Sequence, residues 1–160
     1  IVGQLSNFNK IKSLLPIDLP IIQAGMVWTS GAKLAAACAN ENILGLIGAG
    51  SMRPDLLKSQ IIKAKTLTKY ADRLGVNIPL LYQYSEEQIN IALECGIKIF
   101  FTSAGSPKKY TSKLKDHGAT VIHVTSSPEL AIKCEVAGVD AVVAEGFEAG
   151  GHNGKDELTT

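Results

Sequence analysis

The feature that most constrains this chain is a repeat of punctuation. Six short apolar runs, Leu19–Gln23, Ile43–Ile47, Leu74–Ile78, Ile97–Phe101, Ala119–Val124 and Asp140–Ala144, recur along the sequence. They end near Gln23, Ile47, Asn77, Thr102, Val124 and Ala144, about 20 to 30 residues apart, close to the roughly 30 per unit of a (β/α)8 barrel. Each run is continuously apolar instead of alternating. That is expected of parallel strands covered on both faces, because each crossover lays a helix over the sheet.

The stretches between the runs carry helix signals. Ala32–Asn40 is alanine-rich, which favours a helix, and Pro54 opens another that runs to about Tyr70. Ser85-Glu86-Glu87-Gln88 has the S-x-x-Q spacing of a capping box, at the start of a helix ending near Gly96. Ser106-Pro107 and Ser127-Pro128 each supply an N-cap followed by proline, and Gly118 and Gly138 fall where a left-handed C-terminal cap is wanted. The predicted fold is α/β, a TIM (β/α)8 barrel, with a doubly wound open sheet as the structural alternative. Residues Ile1 to Asp18 read as a polar lead-in.

Six strand units are present. An open arc of six would leave two strand edges unpaired and inner apolar faces bare. Residues 1–160 are therefore expected to be the N-terminal portion of a single barrel domain, with the last two strands absent. The lack of an initiator methionine at Ile1 points the same way.

Charge and hydropathy narrow the function classes. With 16 basic and 15 acidic residues there is no field to attract a polyanion, and no basic stripe with interleaved aromatics, so nucleic acid is not an expected partner. No apolar run approaches the roughly 18 residues of a membrane span, and the N-terminus lacks the order of a secretory signal, which predicts a cytoplasmic protein with no membrane association. Cys38, Cys95 and Cys134 lie far apart without C-x-x-C spacing and read as buried free thiols on amphipathic helices, with no metal site.

In either parallel architecture ligands bind at the C-terminal ends of the strands. This selects the loops at 23–26, 48–51, 77–79, 102–105, 125–126 and 145–154, all small, polar or glycine-rich, where backbone amides can approach a flat or phosphorylated ligand. Gly48-Ala49-Gly50 lacks the third glycine of a dinucleotide fingerprint, since position 53 is arginine, and reads as a turn. Asn77 suits either a cofactor contact or a local Asx turn. Ser103 has no visible base beside it, which disfavours a nucleophile. Of three histidines, His117 stands at a helix C-terminus, where it suits the macrodipole. His123 lies in an apolar strand as a core or barrel-mouth residue. His152 follows Gly150-Gly151, with Glu145 and Glu148 upstream, where an imidazole can move a proton near pH 7.

PIIQAGM (Pro20 to Met26), GLIGAG (Gly45 to Gly50), GVNIP (Gly75 to Pro79), TSAGSP (Thr102 to Pro107) and above all GVDAVVAEGFEAGGHNG (Gly138 to Gly154) closely resemble the nitronate monooxygenase family, formerly called 2-nitropropane dioxygenases. The match runs from about Leu15 to the end. Flavin-dependent type II enoyl-acyl-carrier-protein reductases share much the same motifs. The resemblance implies an FMN-binding TIM barrel in which the backbone at Ala24, Gly25 and Met26 lies against the flavin and Asn77 is the third-strand asparagine. It makes His152 the catalytic histidine, lets Gly150 and Gly151 bring the chain close to the ring, and gives Glu145 a supporting role. Family members are about twice this length, and their remaining part carries the last barrel strands and the loops that hold the FMN phosphate.

The activity this implies is oxidation of an alkyl nitronate with oxygen to a carbonyl compound and nitrite, with His152 orienting the anion or moving a proton. Two alternatives stand beside it. One is an NAD(P)H-dependent flavin enoyl-thioester reductase; the other is a non-catalytic half-barrel that acts by assembling with another chain. Homo-oligomerisation, or assembly with the missing barrel half, is the expected quaternary partner.

Overall fold

The computed structural model describes residues 10–151. Strands β1 (Ile22–Gln23), β2 (Leu44–Gly48), β3 (Leu74–Pro79), β4 (Ile99–Ser103), β5 (Thr120–Thr125) and β6 (Ala141–Ala144) alternate with helices α1 (Ala32–Asn40), α2 (Pro54–Leu67), α3 (Ser85–Glu94), α4 (Thr111–Asp116) and α5 (Pro128–Ala137). The strands form one sheet in the order β1-β2-β3-β4-β5-β6, and every neighbouring pair is parallel.

This order decides between the two architectures. A doubly wound sheet reverses its strand order at a switch point, whereas here each strand pairs with the next. Right-handed crossovers in an unreversed order put all helices on one face and leave the other face to curl inward. The described residues form six consecutive strands of a TIM barrel.

Alternation along the strands feeds two separate cores. Ile47, Val76, Phe100 and Val121 face the helices and pack with Ala35, Leu57, Ile61, Ile89 and Leu114. Their neighbours Leu46, Ile99, Phe101 and Ile122 face the concave side. Both faces of the sheet are apolar for this reason, and the runs read as continuous. Gly45 sets the closest approach of the helix layer, since a Cβ there would stand 2.0 Å from the Ala35 carbonyl oxygen.

Four expectations change. Residues 10–14 are helical, and Leu15 and Ile17 are buried in the concave core, so the lead-in is in part structural: its apolar side chains cover the floor of the arc. The predicted capping box does not form. Tyr84 is the N-cap of α3 and makes no side-chain cap, while the Ser85 hydroxyl donates to Leu80 O at 3.3 Å. Gln88 is fully buried and its Nε2 donates to Ala49 O at 2.7 Å and Met52 O at 2.8 Å, because α3 turns that face toward the β2 loop. Ser106-Pro107 opens a 3-10 turn, Pro107–Lys109, and α4 begins only at Thr111. Lastly, all three cysteines are free, but only Cys134 is fully buried, with Cys38 and Cys95 intermediate; burial raises the thiol pKa of Cys38 and Cys134.

The caps of α5 form as read. Ser127 Oγ accepts from Leu130 N at 3.3 Å, and Gly138 is left-handed at φ +83°. Both outer edges of the arc expose apolar side chains, Leu19 and Ile21 beside β1 and Ile132, Val136 and Val142 beside β6. Among the described residues no helix is long and apolar enough to cross a membrane.

Candidate active site at the strand C-termini

The loops after β1 to β4 are tied into one rim by their backbones. Ser30, 1% exposed, is the first tie. Its Oγ accepts from Met26 N at 2.6 Å and Gly48 N at 3.1 Å, and donates to Met26 O at 3.1 Å. Further along the rim, Ala49 N donates to Asn77 O at 2.9 Å, Leu80 N to Ser103 O at 2.7 Å and Leu81 N to Ala104 O at 2.9 Å. Nothing in the sequence singled out Ser30. A serine directly before the glycine that enters an alanine-rich helix was the available signal.

Two predicted residues meet here. Gly25 lies on Asn77 so closely that a Cβ on Gly25 would be 2.4 Å from Asn77 Cβ. Asn77 makes no Asx turn through its amide group; Nδ2 reaches across to Phe101 O at 3.3 Å. Ala24 and Met26 flank this contact with exposed surface. Gln23, just before them, donates through Nε2 to Leu46 O at 3.2 Å and also to Ala24 O, while its Oε1 is buried with no partner. An orphaned acceptor at a strand C-terminus is where a ligand donor is wanted.

The other predicted residues follow β6, at the opposite edge of the sheet from β1. Glu145 is half-buried and its N–H donates to Thr125 O at 2.8 Å. Gly150 and Gly151 have open space where a Cβ would be, and Gly151 takes φ +88°, a conformation that itself favours glycine. His152 lies outside the described residues.

His123 is a core histidine, 4% exposed, with Nδ1 2.7 Å from Thr102 Oγ1. Burial lowers its pKa, partly offset by a backbone hydrogen bond with Gly105. His117 is exposed at the end of α4, with Nδ1 2.7 Å from Lys113 O. Among the described residues no group of three His, Cys, Asp or Glu side chains could hold a metal. A cavity of about 360 Å³ lies at the other end of the strands, lined by Leu14, Pro16, Lys65, Lys98 and neighbours. Its lysines bond the Cys95 and His117 carbonyls, which makes it a structural feature of the barrel floor.

A family model described as nitronate monooxygenase matches residues 9–88 and 70–160. The chain belongs to the nitronate monooxygenase family. It is 31% identical over 144 residues, 90% of this chain and 40% of the relative, to a (3aS,4S,5R,7aS)-5-hydroxy-7a-methyl-1-oxo-octahydro-1H-indene-4-carboxyl-CoA dehydrogenase of Mycobacterium tuberculosis. It is also 31% identical over 182 aligned positions, 92% of this chain and 51% of the relative, to a probable nitronate monooxygenase of Staphylococcus aureus. Among solved structures, FabK from Thermotoga maritima superposes with a TM-score of 0.89 at 40% identity, over 94% of this chain and 47% of that one. A nitroalkane oxidase from Streptomyces ansochromogenes gives 0.79 at 26% identity, over 91% and 50%. The chain thus spans about half the length of the relatives it matches, or somewhat less.

Proposed function

We propose that this chain forms the first six strands of an FMN-dependent oxidoreductase that acts on an acyl thioester, the enoyl-reductase branch of the reading above. The observation that carries the choice is the length of the connection between β3 and α3. Here it runs only from Pro79 to Ser85. The alignment to the probable nitronate monooxygenase covers 182 positions, more than the 160 residues of this chain, so that relative has inserted sequence. The two family-model matches overlap at residues 70–88, a span that contains this connection, and we infer that the inserted sequence falls there. The carboxyl-CoA dehydrogenase aligns over 144 residues that make up 90% of this chain, with no comparable insertion, and the 40% identity to FabK also covers nearly the whole chain.

The residues present fit the ring end of a flavin. Gly25 presents bare backbone, Ala24 and Met26 are exposed beside it, and Gln23 Oε1 is an unpartnered acceptor for a ring N–H. Ala24, Gly25, Met26 and Asn77 would hold the ring from one side, and Glu145, Gly150 and Gly151 from the β6 loop. None of the described residues is assigned to the phosphate. The flavin, when bound, supplies the redox chemistry. Asn77, with Nδ2 committed to Phe101 O, keeps Gly25 and the β1 loop in place. His152 would orient the thioester or deliver the proton it takes up, a task suited to an imidazole near pH 7.

Nitronate oxidation is the second reading, and the family model's description and the probable nitronate monooxygenases favour it. The native gene product separates the two. Anaerobic reduction of its flavin by NAD(P)H, followed by reoxidation with an enoyl thioester, is the expected result; rapid nitronate turnover in oxygen without nicotinamide would overturn the thioester reading. Full turnover by His152→Asn would remove that residue from the mechanism under either reading.

A further inference from the structure

His123 faces the helix layer and not the barrel cavity. Val121 belongs to the outer core and Ile122 to the concave one, so alternation returns His123 to the outer side, in register with Thr102. Its ring spans a short arc of chain. Nδ1 meets Thr102 Oγ1 near the end of β4 at 2.7 Å, and a second hydrogen bond meets the backbone of Gly105, in the loop that follows. A neutral imidazole has one N–H and one bare nitrogen, which suits one hydroxyl and one backbone group. Burial favours that neutral form.

The loop it closes needs holding. Ala104 takes φ +47°, in the left-handed region that disfavours a residue with a Cβ. The same loop carries the β3 loop with it. Ser103 O and Ala104 O accept from Leu80 N and Leu81 N, and a Cβ on Gly105 would lie 2.7 Å from Leu80 Cβ. An apolar residue at 123 would fill the core as well but would take the ring partner from the buried Thr102 hydroxyl and from the backbone of half-buried Gly105.

We propose that His123 is a positioning residue that fixes, through Thr102 and Gly105, the joined β3 and β4 loops forming one wall of the ligand site. The identity of that wall as a ligand wall rests on the function proposed above; the clamp itself does not.

The test uses the native gene product with Thr102→Val, His123→Leu and, as conservative control, Thr102→Ser. Amide exchange at Leu80 and Leu81, measured without cofactor or substrate, is expected to speed up about tenfold or more in the first two and to stay native in the third. FMN affinity, read by flavin fluorescence, is expected to weaken about tenfold in the same two variants. Unchanged exchange in both Thr102→Val and His123→Leu would overturn the clamp. Faster exchange with unchanged FMN affinity would overturn the role of these loops as a flavin wall. A wild-type protein that binds no FMN would overturn the proposed function, while the exchange rates would still decide the clamp.

Discussion

Replacing Gly25 with alanine should damage the protein through one atom of Asn77. The added Cβ would sit 2.4 Å from Asn77 Cβ, whereas ordinary contacts begin at 3.4 Å, so the two must separate by about 1 Å to reach ordinary contact. A rotamer change cannot provide this, because the atom struck is a Cβ fixed to β3, and Asn77 is paired on both sides, with Gly48 and with Phe101. Overpacking of this kind costs about 1–3 kcal/mol. In a chain of this size that lowers Tm by roughly 2–12 °C. Asn77→Gly alone should cost about 1–2 kcal/mol, from the lost bond to Phe101 O and the added backbone freedom. In the double variant the clash has no partner, so its loss should fall short of the sum of the two single losses by about 1–3 kcal/mol. Urea denaturation of the four proteins at constant m-value measures this. Losses that add to within about 0.5 kcal/mol would refute the claim that Gly25 is required by its approach to Asn77.

Other perturbations probe the scaffold. Gln88→Leu should destabilise by about 2 kcal/mol or more, because the Ala49 and Met52 carbonyls lose a buried donor; a stability equal to wild type would mean those carbonyls are solvated. Ser127→Ala should cost about 1 kcal/mol by removing the cap on Leu130 N, with Ser127→Asn retaining most of it, as read from thermal melts. For His123 the folded pKa lies below the unfolded value of 6.5, so the unfolded chain binds more protons between the two. Its contribution is complete above pH 6.5, declines as the pH falls toward the folded pKa, and levels off below it. Denaturation midpoints from pH 7.5 to 5 should therefore fall less steeply in His123→Leu, and parallel slopes would contradict the assignment.

The fold was legible because its signals are local and repeated. Continuous apolarity at Leu44–Gly48 and Leu74–Pro79 reflects burial on both faces, and Ser127 and Gly138 mark helix ends by their own backbone requirements. Strand order was not legible, since period alone is shared by singly and doubly wound sheets. The capping box at Ser85 to Gln88 failed for a tertiary reason: Gln88 has better acceptors in the β2 loop than the helix terminus offers. Leu15 and Ile17 were passed over because a floor residue needs no periodicity of its own.

The residues expected at the candidate site divide differently. Gly25 has no room for a Cβ beside Asn77 and Gly151 takes a left-handed conformation, requirements that the residue type itself displays in the sequence. Ser30, Gln23 and the Thr102–His123 pair act through hydrogen bonds between loops distant in sequence, which no spacing displays. The same contrast bears on substrate. The residues that would receive the flavin ring supply room and backbone, and they would serve a nitronate enzyme and a thioester enzyme equally. What would differ among the relatives, on the function proposed above, is the amount of chain inserted beside β3. Leu81, the exposed large apolar residue of that short connection, hangs from Ala104 O, and Ala104 lies in the loop that His123 closes. Substrate choice in this family would then depend on a loop whose length is set at β3 and whose position is set two strands away, at β5.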